Sequence, residues 1–216
     1  MILCAIPTIG SAEMTKLAID SVIDEAEVLV IDNNSDAETK LMLMREDIML
    51  IENEENLYVN PSWNEILDFF LKTPFDTLII MNSDMIMQAS WSQHLDPTEI
   101  CIPTDGSHTV DTVVTEGTPG VFIHLSREMV RIVYPIPEEI LVWYGDNWIY
   151  TILRSLGYQT VVKSELIGRH YNGGSQSVNV VPNIHQIIEQ DKIMWRDIVE
   201  PLMLKIIEQL KNEKGR

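Results

Sequence analysis

The first part of the chain alternates short apolar runs with stretches in which apolar residues return every three or four positions. Ile2 to Ile6, Val28 to Ile31, Ile48 to Ile51 and Thr77 to Met81 are the runs. Their length and lack of alternation predict strands buried on both faces, as in a parallel sheet. Between them three sets recur at helical spacing: Leu17, Ala18, Val22 and Ile23; Leu41, Leu43 and Met44; Trp63, Ile66, Leu67 and Phe70. Pro61 stands where a first helical turn favours proline. Four strands with three intervening helices predict an α/β fold with right-handed crossovers.

The rhythm breaks after Met85. Ile100 to Pro103 and Val121 to Leu125 read as strands, and Thr109 to Thr115 as an edge strand or hairpin. Ser126-Arg127-Glu128 opens a short helix that Pro135 and Pro137 end. Trp148 to Leu156 is a helix closed by Gly157, and Thr160 to Val162 is a last strand. Gly168 to Ser177 reads as a glycine- and serine-rich loop around His170. Beyond Pro182, apolar residues from Ile184 to Leu210 form an amphipathic stretch interrupted at Pro201, either two helices or one kinked helix. The pattern divides the chain into a main domain, residues 1–181, and a helical extension, residues 182–216. The apolar stripe of the extension either packs back on the sheet or forms a homodimer interface. The second is favoured here, because the domain before it reads as complete.

Composition narrows the classes. The 216 residues suffice for one large domain with a real core. The 33 acidic residues against 15 Lys and Arg give a formal net charge of -18. That excess disfavours broad binding to nucleic-acid backbone or anionic lipid, and it counts against a modified DNA base as a target. Cys4 and Cys101 fall in or beside strands and read as buried free thiols, which suits a reducing cytoplasm. The first apolar run follows no basic segment and breaks at Pro7, so it reads as a strand and not a leader peptide. No run reaches the ~20 apolar residues of a membrane span. The expected setting is cytoplasmic.

Three acidic loops punctuate this pattern: Asp32 to Asp36, Asn82 to Asp84 and Gly145 to Asn147. In an open α/β sheet, ligands bind beyond the carboxyl ends of the strands. Asp32, Asp84, Asp146 and His170 can therefore converge although they are far apart in sequence. A carboxylate and an amide oxygen two residues apart, Asp84 and Asn82, suit a hard divalent cation carrying phosphates. Neither a P-loop nor a Gly-x-Gly-x-x-Gly segment is present. A metal ion then remains as the means of holding a diphosphate, with Asp84 and His170 as candidate ligands. The lack of a Gly-x-Ser-x-Gly elbow argues against a serine hydrolase. Isolated cysteines and no His-x-x-x-His pair argue against zinc.

In order along the chain to about Ser177, these segments resemble GT-A-type glycosyltransferases of the family 2 kind. Ile6-Pro7-Thr8 resembles that family's first strand and its Ile-Pro-Thr. Val30-Ile31-Asp32-Asn33-Asn34-Ser35-Asp36 is similar to its Val-Asp-Asp/Asn-x-Ser-x-Asp segment. Asn56 to Asn64 resembles Asn-x-Gly-x-x-x-Ala-x-Asn, without its glycine and alanine. Asn82-Ser83-Asp84 stands where the family has Asp-x-Asp. Gly120-Val121-Phe122 resembles the glycine-containing strand beneath the acceptor. Trp143-Tyr144-Gly145-Asp146-Asn147-Trp148 is similar to the family's Glu-Asp-x-(aromatic) helix start, with Gly145 in place of the usual Glu. His170-Tyr171-Asn172-Gly173-Gly174-Ser175 resembles its His-x-x-Gly-x-Ser loop.

The resemblance implies a GT-A-like, mostly parallel central sheet flanked by helices. It implies transfer of a sugar from a nucleoside-diphosphate sugar, a UDP-sugar first among them, to a hydroxyl acceptor, a glycan or small molecule. Mn²⁺ or Mg²⁺ would assist. Pro7, Thr8, Asp32, Asn60, Asn82 and Ser83 would hold the nucleotide sugar, with Asp32 on the base. Asp84 and His170 would bind the metal, and Asp146 would be the base of an inverting reaction. Gly120, Tyr144 and Trp148 would face the acceptor. Trp91 and Trp143 are assigned to the core, and His94, His108, His124 and His185 receive no role. Two alternatives stay open. One is a non-catalytic nucleotide- or partner-binding domain, for which Gly145 and Asn82 speak. The other is a sugar nucleotidyltransferase, against which the single glycine of Ile9-Gly10-Ser11-Ala12 and the distance of Lys16 speak.

Overall fold

The structure, a computed structural model, describes residues 1–118, 120–171 and 182–214. Strands β1 (Ile2–Thr8), β2 (Glu27–Asp32), β3 (Met49–Glu52) and β4 (Thr77–Met81) run parallel in the order β3-β2-β1-β4. Helices α1 (Ala12–Asp20), α2 (Ala37–Leu43) and α3 (Val59–Lys72) connect them. This is the arrangement that the apolar runs predict, and the packing gives the reason. Leu3 and Ala5 enter the core on one face of the sheet, Cys4 and Ile6 the core on the other. Leu29 and Ile31 divide from Val28 and Val30 in the same way, and Leu78 and Ile80 from Ile79 and Met81. Successive side chains point to opposite faces, so a strand covered on both sides needs an unbroken apolar run.

Strand β8 (Phe122–Ser126) adds to this sheet antiparallel to β4. A second sheet is built on β9 (Thr160–His170), which pairs with β5 (Met85–Met87), β6 (Ile100–Thr104) and β7 (Thr112–Val114). The edge strand expected within Thr109 to Thr115 is β7. The last strand, expected over Thr160 to Val162, is instead 11 residues long. His170 is its final residue and not part of a loop. The extra length comes from pairing: Gly168, Arg169 and His170 find Met87, Ile86 and Met85 opposite them. Gly173, Gly174, Ser175 and Ser177 of the expected loop lie outside the described residues.

Helices α4 (Arg127–Val133) and α5 (Gly145–Ser155) join α3 over one face of the main sheet. The extension forms α6 (Ile184–Met194) and α7 (Glu200–Lys214), joined by the π-helical segment Trp195–Val199. A wider turn just ahead of Pro201 takes up the missing N–H and the clash of its ring with the preceding turn. Val199, Met203 and Ile207 are buried in the same core as α3, α4 and α5. Of the stripe itself, Trp195, Ile206 and Leu210 pack against that core, whereas Ile198 and Leu202 stay exposed beside Ile193 and Leu204.

Both cysteines are free and buried. Burial pushes the Cys101 thiol up to about 11 and that of Cys4 higher still. Among the described residues, no helix is long and apolar enough to cross a membrane.

Candidate functional site

The carboxyl ends of β1, β2 and β4 open on one cleft. Pro7, Thr8 and Ile9 line it from β1, Asn33 from β2, and Asn82 and Ser83 from β4. Asn56, Tyr58 and Val59 contribute from the start of α3. Val142 and Trp143 from the segment before α5, and Ile184 and Ile188 from α6, complete the lining. Four of the residues expected at the donor, Pro7, Thr8, Asn82 and Ser83, are thus brought together.

Asp32 and Asn60 are placed elsewhere. Asp32 is fully buried and does not line the cleft, and its Oδ1 accepts the Ser35 N–H at 2.9 Å. Asn33, the next residue, takes the cleft side. Its N–H donates to the Thr8 carbonyl at 2.9 Å, and its Nδ2 donates to Ser62 Oγ at 2.8 Å. Asn60 is 1% exposed. Its amide nitrogen donates to the carbonyls of Ile140 (3.1 Å) and Trp143 (2.9 Å), and its backbone N–H to that of Leu141 (2.9 Å). Asn60 ties α3 to the segment before α5 and has no face on the cleft.

Asn82 to Met85 form a tight turn closed by the Met85 N–H on the Asn82 carbonyl at 3.1 Å. The turn leads into β5, and the β5–β9 ladder carries Asp84 to His170. Asp84 Oδ1 and His170 Nε2 stand 3.0 Å apart, and the Tyr171 N–H bonds the Asp84 carbonyl at 2.8 Å. A hard divalent ion holds its oxygen ligands at about 2.1 Å, so two neighbouring ligands of one octahedral ion lie about 3.0 Å apart. The two atoms are within hydrogen-bond distance of each other, and two neighbouring ligands of one ion would stand equally far apart. Among the described residues no third His, Cys, Asp or Glu groups with them.

Asp146 sits in the first turn of α5 and connects to the cleft in two steps. Gly120 N–H donates to its Oδ2 at 3.1 Å, and the next residue, Val121, accepts the Asn82 N–H through its carbonyl at 3.0 Å. The Asn147 N–H donates to Oδ1 at 2.8 Å. Burial raises the Asp146 carboxyl above its ordinary range, and these backbone donors oppose the rise. Gly120 is small for a reason: a Cβ there would come within 2.9 Å of both the Asp146 Cβ and the Trp63 ring.

The aromatic residues sort differently from expectation. Trp148 is 4% exposed, belongs to the core, and donates its indole N–H to the Val133 carbonyl at 2.8 Å. It offers no surface on which an acceptor could stack. Tyr144 lies flat against Trp195, with centroids 5.0 Å apart and planes 14° apart, so one ring face is taken. Trp143, assigned to the core from sequence, is 47% exposed and lines the cleft. Trp91 is in the core as expected.

No family model matches the sequence, and no curated protein matches it. Solved structures do. The chain is similar to the mannosyltransferase PcManGT from Pyrobaculum calidifontis, in complex with GDP-Man and Mn²⁺, with TM-score 0.59 and 14% identity over 96% of this chain and 73% of that one. It is similar to S. aureus TarS 1-349 in complex with UDP, with TM-score 0.60 and 15% identity over 77% of this chain and 59% of that one. It is also similar to a nucleotidyl transferase from Methanothermobacter thermautotroptrophicus, with TM-score 0.54 and 12% identity over 76% of this chain and 86% of that one. The chain has a GT-A fold.

In this GT-A fold, sequence reasoning missed Asn33, Asn56, Tyr58, Val142, Trp143, Ile184 and Ile188 on the cleft. Asn33 and Asn56 stood inside segments already singled out, and Trp143 stood beside Tyr144. Nothing in the spacing of Ile184 and Ile188 tells a cleft wall from a core stripe.

Proposed function

We propose that this protein is a metal-assisted glycosyltransferase that moves a sugar from a nucleoside-diphosphate sugar to a hydroxyl acceptor. The observation that carries the reading is the hydrogen-bonded Asp84–His170 pair, 3.0 Å apart, with Asp84 directly following Asn82 and Ser83 of a cleft formed by strand carboxyl ends. The mannosyltransferase and TarS structures, solved with GDP-Man and Mn²⁺ and with UDP, support it.

Asp84 and His170 would hold the ion, with donor phosphate oxygens and water completing its shell. When bound, the ion would neutralise charge on the departing diphosphate. Pro7, Thr8, Asn33, Asn82 and Ser83 would orient the nucleotide sugar along the cleft. Asp146 would take the proton of the acceptor hydroxyl as its oxygen bonds to the transferred carbon. The bond from that carbon to the diphosphate breaks, and the nucleoside diphosphate leaves with the electron pair. Attack opposite the leaving group inverts the carbon. Gly120 N–H and Asn147 N–H aim the Asp146 carboxylate.

The nucleotidyltransferase reading is weaker. It needs a cation beside the loop after β1 to meet a triphosphate, and Lys16 on α1 is paired with Asp20. The test is thermal stabilisation by UDP, GDP, their sugars, UTP and GTP, with and without Mn²⁺, on wild type and Asp84→Ala. A ligand at about 100 times its Kd adds about 2.7 kcal/mol. The expected result is a shift for one nucleotide that needs Mn²⁺ and disappears in Asp84→Ala. No shift with any nucleotide would sink the transferase reading. A shift confined to UTP or GTP would move it to nucleotidyl transfer.

A further inference from the structure

Asp191 is a buried carboxylate that the transfer chemistry does not use. It lies on α6, 1% exposed. Its Oδ1 accepts the Leu141 N–H at 3.0 Å, and its Oδ2 accepts the N–H groups of Val142 at 2.7 Å and Trp143 at 2.8 Å. Three backbone donors thus converge on one side chain almost fifty residues later in the chain. Carboxylates that collect several backbone N–H groups bind them tightly, because each bond is charge-assisted.

The segment so held has a particular place. On its other side Asn60 binds the carbonyls of Ile140, Leu141 and Trp143. The segment is therefore clamped between α3 and α6, N–H groups to Asp191 and carbonyls to Asn60. Val142 and Trp143 line the cleft, and the next three residues are Tyr144, Gly145 and Asp146. The same helix adds Ile184 and Ile188 to the cleft wall, and Lys192 Nζ lies 5.7 Å from the Trp143 ring centroid. One turn further, Trp195 stacks on Tyr144.

We propose that Asp191 is a positioning residue: through its three hydrogen bonds it sets the Leu141–Trp143 segment, and so fixes the Trp143 wall of the cleft. α6 is then part of the binding site and not an appendage. The inference rests on the glycosyltransferase reading only for the identity of what the cleft binds.

The test compares wild type with Asp191→Asn, which keeps the shape and one acceptor oxygen but in either amide orientation turns an NH₂ toward at least one of the three N–H groups. Hydrogen exchange of the amides of residues 141–143 reports the clamp without any ligand. Titration calorimetry with UDP and with GDP, each with Mn²⁺, reports the cleft. In Asp191→Asn at least one of these amides should exchange tenfold faster or more, while the β1 and β4 amides keep their protection. The Kd of the nucleotide that binds wild type should rise about tenfold. A purely structural loss would lower the amount of binding-competent protein and leave Kd unchanged. Unchanged protection at 141–143, or an unchanged Kd with protection lost, would overturn the inference. If neither nucleotide bound wild type, the transferase reading would fail, and the exchange measurement alone would decide the clamp. Asp191→Glu, which keeps the charge, guards against misfolding of the amide variant. Faster exchange at 141–143 is expected there too, because the longer arm cannot keep all three bonds.

Discussion

Gly145 and Asn60 occupy one space: a Cβ on Gly145 would lie 2.1 Å from the Asn60 Oδ1. The resemblance to family 2 glycosyltransferases puts a glutamate at this position. Here the volume at the start of α5 is filled from α3 instead, by a side chain whose amide nitrogen already serves Ile140 and Trp143. The glycine is a packing partner of Asn60, and its presence does not by itself argue for lost catalysis.

Gly145→Ala should therefore destabilise the fold by roughly 1–3 kcal/mol, the usual cost of forcing an extra group into a filled space. In an Asn60→Ala background the same substitution should cost less. The two changes should couple by about 0.5–3 kcal/mol in a double-mutant cycle measured by denaturant unfolding. Strict additivity would mean that the two residues do not compete for this space.

Asp146 gives a pH signature. Burial, its largest influence, lifts the carboxyl above the ordinary value despite the backbone donors. A general base works only when deprotonated, so kcat/KM should fall on the acid side with a midpoint above the ordinary carboxylate value of about 3.9. Asp146→Asn should lose about 100-fold or more in rate while still binding the nucleotide. A rate that survives in Asp146→Asn would take the base role away from Asp146.

The strands of the main sheet were legible because burial on both faces leaves no freedom in residue type. Only the start of β9, Thr160 to Val162, was legible: Gly168, Arg169 and His170 have no strand composition and owe their state to pairing with Met85–Met87. Asp84 and His170, singled out as candidate ligands 86 residues apart in the chain, do come together, because the β5–β9 ladder pairs Met85 with His170. Asn33, not Asp32, lines the cleft because neighbours at a strand end point to opposite sides, which the sequence pattern does not resolve at the last residue of an apolar run. Trp143 and Trp148 were exchanged for a similar reason: the sequence shows two large aromatic residues near a helix start but not which one faces inward. The stripe of α6 gave a helical period, and a period does not say what the face touches.

That exchange of tryptophans is directly testable. Trp148→Ala should cost about 3–5 kcal/mol, as large core truncations do. Trp143→Ala should change stability little, since the ring is half exposed, yet weaken nucleotide binding by removing a cleft wall. Denaturant unfolding and nucleotide titration of both variants check this. If Trp143→Ala left affinity unchanged, the ligand would not reach that side of the cleft.

His124 should make the fold sensitive to mild acid. It is fully buried, with Nδ1 at 3.0 Å from the Glu99 carbonyl and 3.3 Å from the Cys101 nitrogen. Burial pushes its imidazole down to about 4, against a backbone interaction with Glu99 that opposes the fall. The unfolded chain takes up this proton near the ordinary value of about 6.5, whereas the folded chain resists it until about 4. Between these values the unfolded state binds more protons, so stability is present above the window and lost as pH falls through it. The gap corresponds to about 3 kcal/mol. Asp146 shifts the other way and acts in the opposite sense over part of this range, so the informative quantity is a difference between variants. Unfolding free energies from pH 4 to 7 should fall more steeply toward acid for wild type than for His124→Gln, and parallel curves would show that His124 carries none of the dependence.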